Sequence, residues 1–185
     1  MEEEKLIKKA KTGEREAFGA LYDKYAGVIY RYIFLRCGGE KALAEDITHE
    51  VFLNAWKNIA NYDLRGAPFL GYLYKIARNS LTDHWRVKKT YADIEDVAES
   101  NLVAKDDGLE NKIDEKEVLN KIKSILPLME PSYQEIILMK FVEDFSNKEI
   151  SVMLGKSEGA IRVMQHRAIK QLKEYLKKYG KQEII

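Results

Sequence analysis

Between residues 62 and 89, Tyr62, Phe69, Tyr72, Tyr74 and Trp85 stand among Arg65, Lys75, Arg78, Arg86, Lys88 and Lys89. Single-stranded nucleic acid asks for that mixture. Bases stack on aromatic rings, at about 1–3 kcal/mol per base, while cations follow the phosphates. Asn79, inside the run, carries a short amide able to hydrogen-bond a base edge. The same spacing also suits a plain helix core, with Phe69, Leu73, Ile76 and one tyrosine turned inward, and the residues alone leave both readings open.

A second group lies in residues 146–167. A short helix, a glycine turn at Gly155-Lys156-Ser157 and a basic helix make the order of a helix-turn-helix. Ile150, Leu154 and Ile161 form its expected small core, and Ala160 is expected to let the two helices approach closely. Arg162, Gln165, His166 and Arg167 are expected on the exposed N-terminal half, the part that enters a major groove. Lys170, Lys173, Lys177 and Lys178 follow, suited to phosphates. An ordinary helical hairpin with a solvated basic face has the same spacing. One such unit makes few phosphate contacts and binds weakly without a second module.

Catalytic patterns are lacking. There is no glycine-rich phosphate loop. His49-Glu50 begins like a zinc-protease motif, but Leu53 stands where the second histidine belongs. His49, His84 and His166 are far apart, and the paired carboxylates Asp46 and Glu50 fit a solvated face or a partner contact. Cys37 is the only cysteine, so no internal disulfide and no cysteine zinc site can be built. The expectation is no enzyme, no catalytic residue, no metal and no cofactor.

These groups must be held by helices. The three prolines, Pro68, Pro127 and Pro131, fall near helix edges. Lys5 to Lys11 reads as a short helix. Arg15 to Cys37 carries apolar residues at helical spacing and stops at Gly38-Gly39. Lys41 to about Ile59 follows, with Ile47, Val51, Phe52, Ala55 and Trp56 on one face. After a polar break, Asn61 to Ala67, Pro68 opens a helix to about Lys89 with the stripe Phe69, Leu73, Ile76, Ala77, Leu81, Trp85. Val118 to Leu126 is amphipathic. Ser132 to Glu135 and Ser146 to Glu149 both have the capping-box form and open helices to about Val142 and Leu154. A last helix runs from Glu158 to about Tyr179. No segment alternates as a strand does, so the expected fold is all-α.

The near-neutral net charge of +1 over 185 residues conceals three blocks. Residues 1–90 carry net +4, residues 91–115 net −7 and residues 116–185 net +4. The expected organisation is two small helical domains, 1–90 and 116–185, joined by an acidic linker, 91–115. A solvated connector and a nucleic-acid mimic that occupies a basic channel both fit that linker. The acidic start, Met1 to Lys5, is unlike a secretory signal, and no apolar run approaches the roughly 18 residues of a membrane helix. A cytoplasmic protein without membrane insertion is expected.

Three stretches resemble one family. Asp46-Ile-Thr-His-Glu50-Val-Phe-Leu-Asn-Ala-Trp56 resembles the polymerase-binding helix of bacterial sigma factors, whose pattern is Asp-x-x-Gln-Glu-x-Phe. Leu73-Tyr-Lys-Ile-Ala-Arg-Asn79, with Asp83, resembles the helix that reads the −10 promoter element. Leu126-Pro127 followed by Tyr133 to Leu172 resembles the fourth region, which reads the −35 element. The compact two-part form is similar to the extracytoplasmic-function class.

The resemblance implies a region 2-like helical bundle, a region 4-like helix-turn-helix domain and a non-enzymatic transcription initiation factor. Asp46, His49, Glu50, Phe52 and Trp56 would bind core RNA polymerase, with His49 in place of the usual glutamine and with a core role for Phe52 and Trp56 as the alternative. Tyr62, Arg65, Tyr72, Lys75, Arg78, Asn79, Arg86, Lys88 and Lys89 would take melted −10 DNA, with the loop Asn61 to Ala67 and Asn79 around a flipped base. Ser157, Glu158, Arg162, Val163, His166, Arg167 and Lys170 would meet duplex −35 DNA. Val163-Met164 replaces the family's frequent Ser-Arg, and either residue suits a thymine methyl. Elements about 25 base pairs apart lie roughly 85 Å apart, and the linker, fully extended, spans about 80–90 Å. The implied partners are core polymerase, promoter DNA and an anti-sigma factor, and the free protein is expected to be a monomer. Two rivals remain: a stand-alone helix-turn-helix regulator, and a helical polymerase-binding decoy.

Overall fold

The computed structural model describes residues 2–64, 68–92 and 123–179, with side chains from 87 to 92 excepted. All regular structure in these residues is helical, and the fold class is all-α. The chain divides into two compact units, Met1–Ile33 with Lys41–Asn101, and Phe34–Glu40 with Leu102–Ile185. The expected linker lies outside the described residues from 93 onward, as do residues 118–122 of the expected amphipathic helix.

In the first unit, α1 (Glu2–Lys11) has Glu2, Glu3 and Glu4 in its first turn and Lys8, Lys9 and Lys11 in its last. That order complements the helix dipole and is favourable at both ends. Ile7 and Ala10 form its buried edge. The Glu3 carboxylate accepts hydrogen bonds from Lys24 Nζ and the Tyr25 hydroxyl on the next helix. Burial opposes ionisation of Glu3, but those two donors outweigh it and hold its carboxyl below the usual range. Burial, reinforced by Glu3, pushes the Tyr25 hydroxyl up to about 12.

α2 (Arg15–Arg36) buries Leu21, Tyr25, Ile29, Tyr32 and Ile33. It ends where Gly38 and Gly39 take φ of 66° and 90°, a region costly for side-chain-bearing residues. Cys37, just before them, is buried. α3 (Lys41–Asn58) buries Ala44, Ile47, Thr48, Val51, Phe52 and Ala55, then tightens into a 3₁₀ turn, Ile59–Asn61. α4 (Phe69–Ala92) packs on α3 and buries Phe69, Leu73, Ala77 and Leu81, four residues apart each time. Each fully buried Leu or Phe there contributes about 1.5–3 kcal/mol. The stripe is narrower than its sequence suggests: Ile76 is half-buried and Trp85 is 37% exposed.

The second unit holds a 3₁₀ turn at Leu126–Leu128, α5 (Pro131–Ile137), α6 (Asn147–Leu154) and α7 (Glu158–Tyr179). α5 and α6 both pack on α7. Gln134 is buried, and its amide donates to the Met129 carbonyl at 2.8 Å, satisfying a turn oxygen. The capping box expected at Ser132 is not formed. Glu130 is the N-cap, accepting from Ser132 N and from the Ser132 hydroxyl, while Glu135 is buried. The helix then widens into a π turn, Leu138–Val142, and stops at Asp144, whose φ is 53°. The box at Ser146 is formed as expected. Glu149 N donates to the Ser146 hydroxyl, and Ser146 N donates back to the Glu149 carboxylate at 2.8 Å.

Candidate functional site

The residues matched to polymerase binding sit on α3. Asp46, His49 and Glu50 are exposed and lie on one side, because positions three and four apart share a helix face. Phe52 is not on that side. It is 3% exposed and packs edge-on against Tyr22, ring centroids 4.7 Å apart, and against Phe18. Trp56 is half-buried and tilted on Phe18 at 4.9 Å. Both aromatics line a groove of about 380 Å³ together with Arg15, Phe18 and Leu53. Leu53 was missed in the sequence. It is 52% exposed, a large apolar side chain on the acidic face, and its place off the buried stripe of α3 is the signal that finds it. Glu50 also ties two helices, since its Oε1 accepts from the Ser80 hydroxyl of α4 at 3.1 Å.

On α4 the exposed stripe is Lys75, Asn79, Thr82 and Arg86, opposite the buried one. Arg78 is half-buried beside it. Arg86 pairs with Asp83 at 2.8 Å in full solvent, a contact of little energy. Tyr62 is buried, with its ring edge-on to Phe69 at 5.5 Å and tilted on Tyr72 at 5.1 Å. Tyr74 is also core, edge-on to Tyr32 at 4.8 Å. Burial pushes the Tyr62 and Tyr72 hydroxyls up from their ordinary value. Thus Tyr62, Tyr72, Lys75, Asn79 and Arg86 come from one helix and the turn leading into it. Arg65, and the side chains of Lys88 and Lys89, lie outside what is described.

On α7 the arrangement is simpler. Ser157 caps the helix, accepting from Ala160 N at 3.2 Å, and Glu158 faces Arg162 at 3.7 Å across an exposed turn. Arg162, Val163, His166, Arg167 and Lys170 are all exposed, while Ile161 and Ala168 hold the opposite side. Val163 is 50% exposed and Met164 half-buried, so Val163 is the apolar side chain that reaches outward. Two expectations are corrected. Gln165 turns away from the exposed face, and its amide donates to Asn147 Oδ1 at 2.7 Å, bracing α6 against α7. Ala160 is exposed and so does not sit at the helix contact, where Ile150 and Ile161 are the fully buried residues. Gly155, with φ 62°, makes the left-handed turn between the two helices.

Among the described residues, no group of three or more His, Cys, Asp and Glu side chains is placed to hold a metal ion. No described helix is long and apolar enough to cross a membrane.

Two family models match the chain: Sigma-70 region 2 over residues 21–91, and Sigma-70 region 4 over residues 119–172. The chain is 36% identical over 176 residues to the ECF RNA polymerase sigma factor BldN of Streptomyces coelicolor, covering 92% of this chain and 64% of that one. It is 31% identical over 183 residues to the ECF RNA polymerase sigma factor SigW of Bacillus subtilis, covering 94% of this chain and 96% of that one. Among solved structures, the fold is similar to the sigma factor RpoE, solved in complex with the anti-sigma factor NepR, from Bartonella quintana. The TM-score is 0.70 at 20% identity, over 86% of this chain and 96% of that one. It is also similar to CnrH, solved in complex with the cytosolic domain of CnrY, at TM-score 0.68 and 21% identity, over 97% and 99% of the two chains.

Proposed function

The chain belongs to the ECF sigma factors, and on that premise we propose that it binds core RNA polymerase, directs it to specific promoters and helps open the −10 region. The observation that carries this reading is the presence of a region 2 and a region 4 module, in that order, in one chain. It acts in the cytoplasm, as a monomer when free, and is not itself an enzyme, because the polymerase does the chemistry.

Each face has a part in this reading. Asp46, His49 and Glu50, with Leu53 and Trp56 beside them, dock on the polymerase, and Phe52 holds that helix in place from beneath. Carboxylates on an exposed stripe suit a basic partner surface, and a half-exposed Leu and Trp supply apolar anchors at its centre. The loop after Tyr62 and the amide of Asn79 receive an unstacked base of the −10 element. Extruding that base costs a few kcal/mol, which stacking and hydrogen bonds in the pocket offset. Arg65, Lys75, Arg78, Arg86, Lys88 and Lys89 take the adjacent phosphates. In the second unit α7 enters the major groove at the −35 element. Arg167, Arg162 and His166 reach for base edges, and Val163 meets a thymine methyl. Ser157 and Glu158 lie at the start of the helix and Lys170 takes phosphate. An anti-sigma factor controls the protein by covering these faces, in keeping with the NepR partner of the solved sigma factor RpoE.

The test is multi-round transcription with the purified chain, sigma-free core polymerase and fragmented genomic DNA, followed by sequencing of transcript 5′ ends. Discrete starts that share two upstream elements are expected. Asn79→Ala, at an exposed position, is expected to cut promoter opening by about 5- to 150-fold, the worth of about 1–3 kcal/mol of base recognition, and to leave binding to core unchanged. Loss of both together would move Asn79 out of the base pocket. Core binding without transcripts would instead identify a polymerase-binding decoy, and duplex binding without core a stand-alone regulator.

A further inference from the structure

α7 is held in the second unit by two kinds of contact. Ile161 and Ala168, seven residues apart and so on one side of the helix, are fully buried. Apolar burial is non-directional, and Ala168 offers only a methyl group, so packing alone fixes the roll of the helix loosely. Two side-chain amides add direction. Gln165 Nε2 donates at 2.7 Å to the Oδ1 of Asn147, the first residue of α6. Six residues on, Gln171 Oε1 accepts from the backbone N–H of Glu130, the N-cap of α5, at 3.1 Å. The two bonds are about 9 Å apart along α7 and go to the two helices on which it packs.

Gln165 has the place that matters for recognition. Arg162 is three residues before it and His166 is next to it, and both are exposed while Gln165 is half-buried. Asn147 lies three residues before Ile150, and Gln165 four after Ile161, and both isoleucines are fully buried. Each amide is thus one turn from a buried isoleucine on the same face of its helix. The amide bond and the apolar core are two separate points, and two points fix the angle between α6 and α7 where one does not. Half-burial limits competition from water and preserves the worth of the bond.

We propose that Gln165 is a positioning residue for −35 recognition. Acting through Asn147, it sets the tilt and roll of α7 on α6, and so decides which base each of Arg162, Val163, His166 and Arg167 stands opposite. Base-edge contacts hold only within about 0.5 Å and 10–20° of their proper geometry. A small roll loses them, whereas a long side chain on a phosphate, such as Lys170, tolerates it. Loss of the amide bond therefore weakens binding to the correct sequence and spares binding to unrelated duplex. This inference rests on the reading of α7 as the −35 helix.

The experiment uses the full chain in reconstituted holoenzyme and a promoter recovered from the 5′-end mapping, with single base changes through its −35 element. Binding is measured by competition in the cold, before melting, at several salt concentrations. Gln165→Met keeps the length of the side chain and removes its amide. It is expected to shrink the ratio between correct and altered −35 sequences about fivefold, with the salt slope unchanged. Asn147→Ala removes the other half of the bond and is expected to give the same loss, and the double variant no more than either, since the two side chains act as one contact. The bond is cut from either side, so one variant that stays folded, as read by its melting temperature, suffices. An unchanged ratio in Gln165→Met overturns the proposal. So does an equal loss at every sequence, which makes the amide bond a packing element only. A loss in Gln165→Met that Asn147→Ala does not share also overturns it, because Gln165 would then meet DNA itself. Wild-type holoenzyme with no preference among −35 sequences would overturn the −35 reading instead, a separate failure.

Discussion

The two regions proposed to face DNA are built on opposite plans. In the first unit the proposed base pocket grows out of the core. Tyr62 and Tyr72 form one aromatic cluster with Phe69, and Phe52 lies under the stripe proposed to face the polymerase, with Phe18 and Tyr22 around it. In the second unit Arg162, Val163, His166, Arg167 and Lys170 stand on the exposed half of α7, and the residues that hold the helix, Ile161 and Ala168, are on the other half. On the proposed reading, recognition and stability are therefore fused in the first unit and separable in the second. The difference suits the tasks. A pocket for an extruded base needs rigid walls, which only a core supplies, whereas a groove already offers its base edges to any helix held at the right angle.

The sharpest way to break that contrast is Phe52→Ala. It is expected to destabilise the first unit by about 3–5 kcal/mol, read in urea unfolding, and to lose core binding as a consequence. Its neighbour Leu53→Ala, at an exposed position, is expected to weaken core binding with stability changed by no more than about 0.5 kcal/mol. Stability retained in Phe52→Ala would make that ring a contact residue and undo the comparison. A middle-sized effect is expected from Arg167→Ala. Binding to the −35 element falls by about 1–3 kcal/mol, seen in competition against altered −35 sequences, while the unfolding midpoint and the −10 preference stay as they are. A shifted −10 preference would show that the two modules are not separable.

The smallest effect tests the scaffold of the second unit. Ser146→Ala removes the cap of α6 and is expected to cost about 1 kcal/mol. It also changes the response to acid. Hydrogen bonds from the Ser146 side chain and backbone hold the Glu149 carboxyl below its usual value of 4.5. A carboxyl depressed by folding stabilises above its unfolded pKa and loses that contribution as pH falls through the folded one. The penalty of Ser146→Ala is thus expected to be full at neutral pH and smaller in acid, measured as urea midpoints down to about pH 3. A penalty that does not change with pH would mean the carboxylate is no part of the cap.

Helix positions were readable where local chemistry decides them. Ser146 with Glu149, Gly155, and Gly38 with Gly39 each mark an end through their own backbone needs. The phase of α7 was nearly readable for the same reason. What escaped was decided by competing partners, some next door and some far along the chain. Ser132 and Glu135 have the spacing of a capping box, but Glu130 ahead of Pro131 takes the cap and Glu135 is buried. Gln165 looks outward by type and is claimed by Asn147, 18 residues earlier. The π turn at Leu138–Val142 leaves no mark in apolar spacing. In the candidate site, residue types pointed to nucleic acid, but which aromatics are walls was set by contacts such as Tyr74 on Tyr32. The Lys11 bond to the Tyr62 carbonyl is invisible to any local pattern, since a lysine at the end of a helix already has an electrostatic reason to be there.

Cys37, the only cysteine, is buried beside the glycines that end α2. A buried thiol reacts slowly, because it is the exposed thiolate that attacks. The native thiol is thus expected to react only slowly with maleimide dyes, and a substitution such as Lys177→Cys on the exposed side of α7 would supply a much faster point for labelling without first deleting the native thiol. Fluorescence at that point could then follow α7 onto and off promoter DNA in an otherwise unaltered protein.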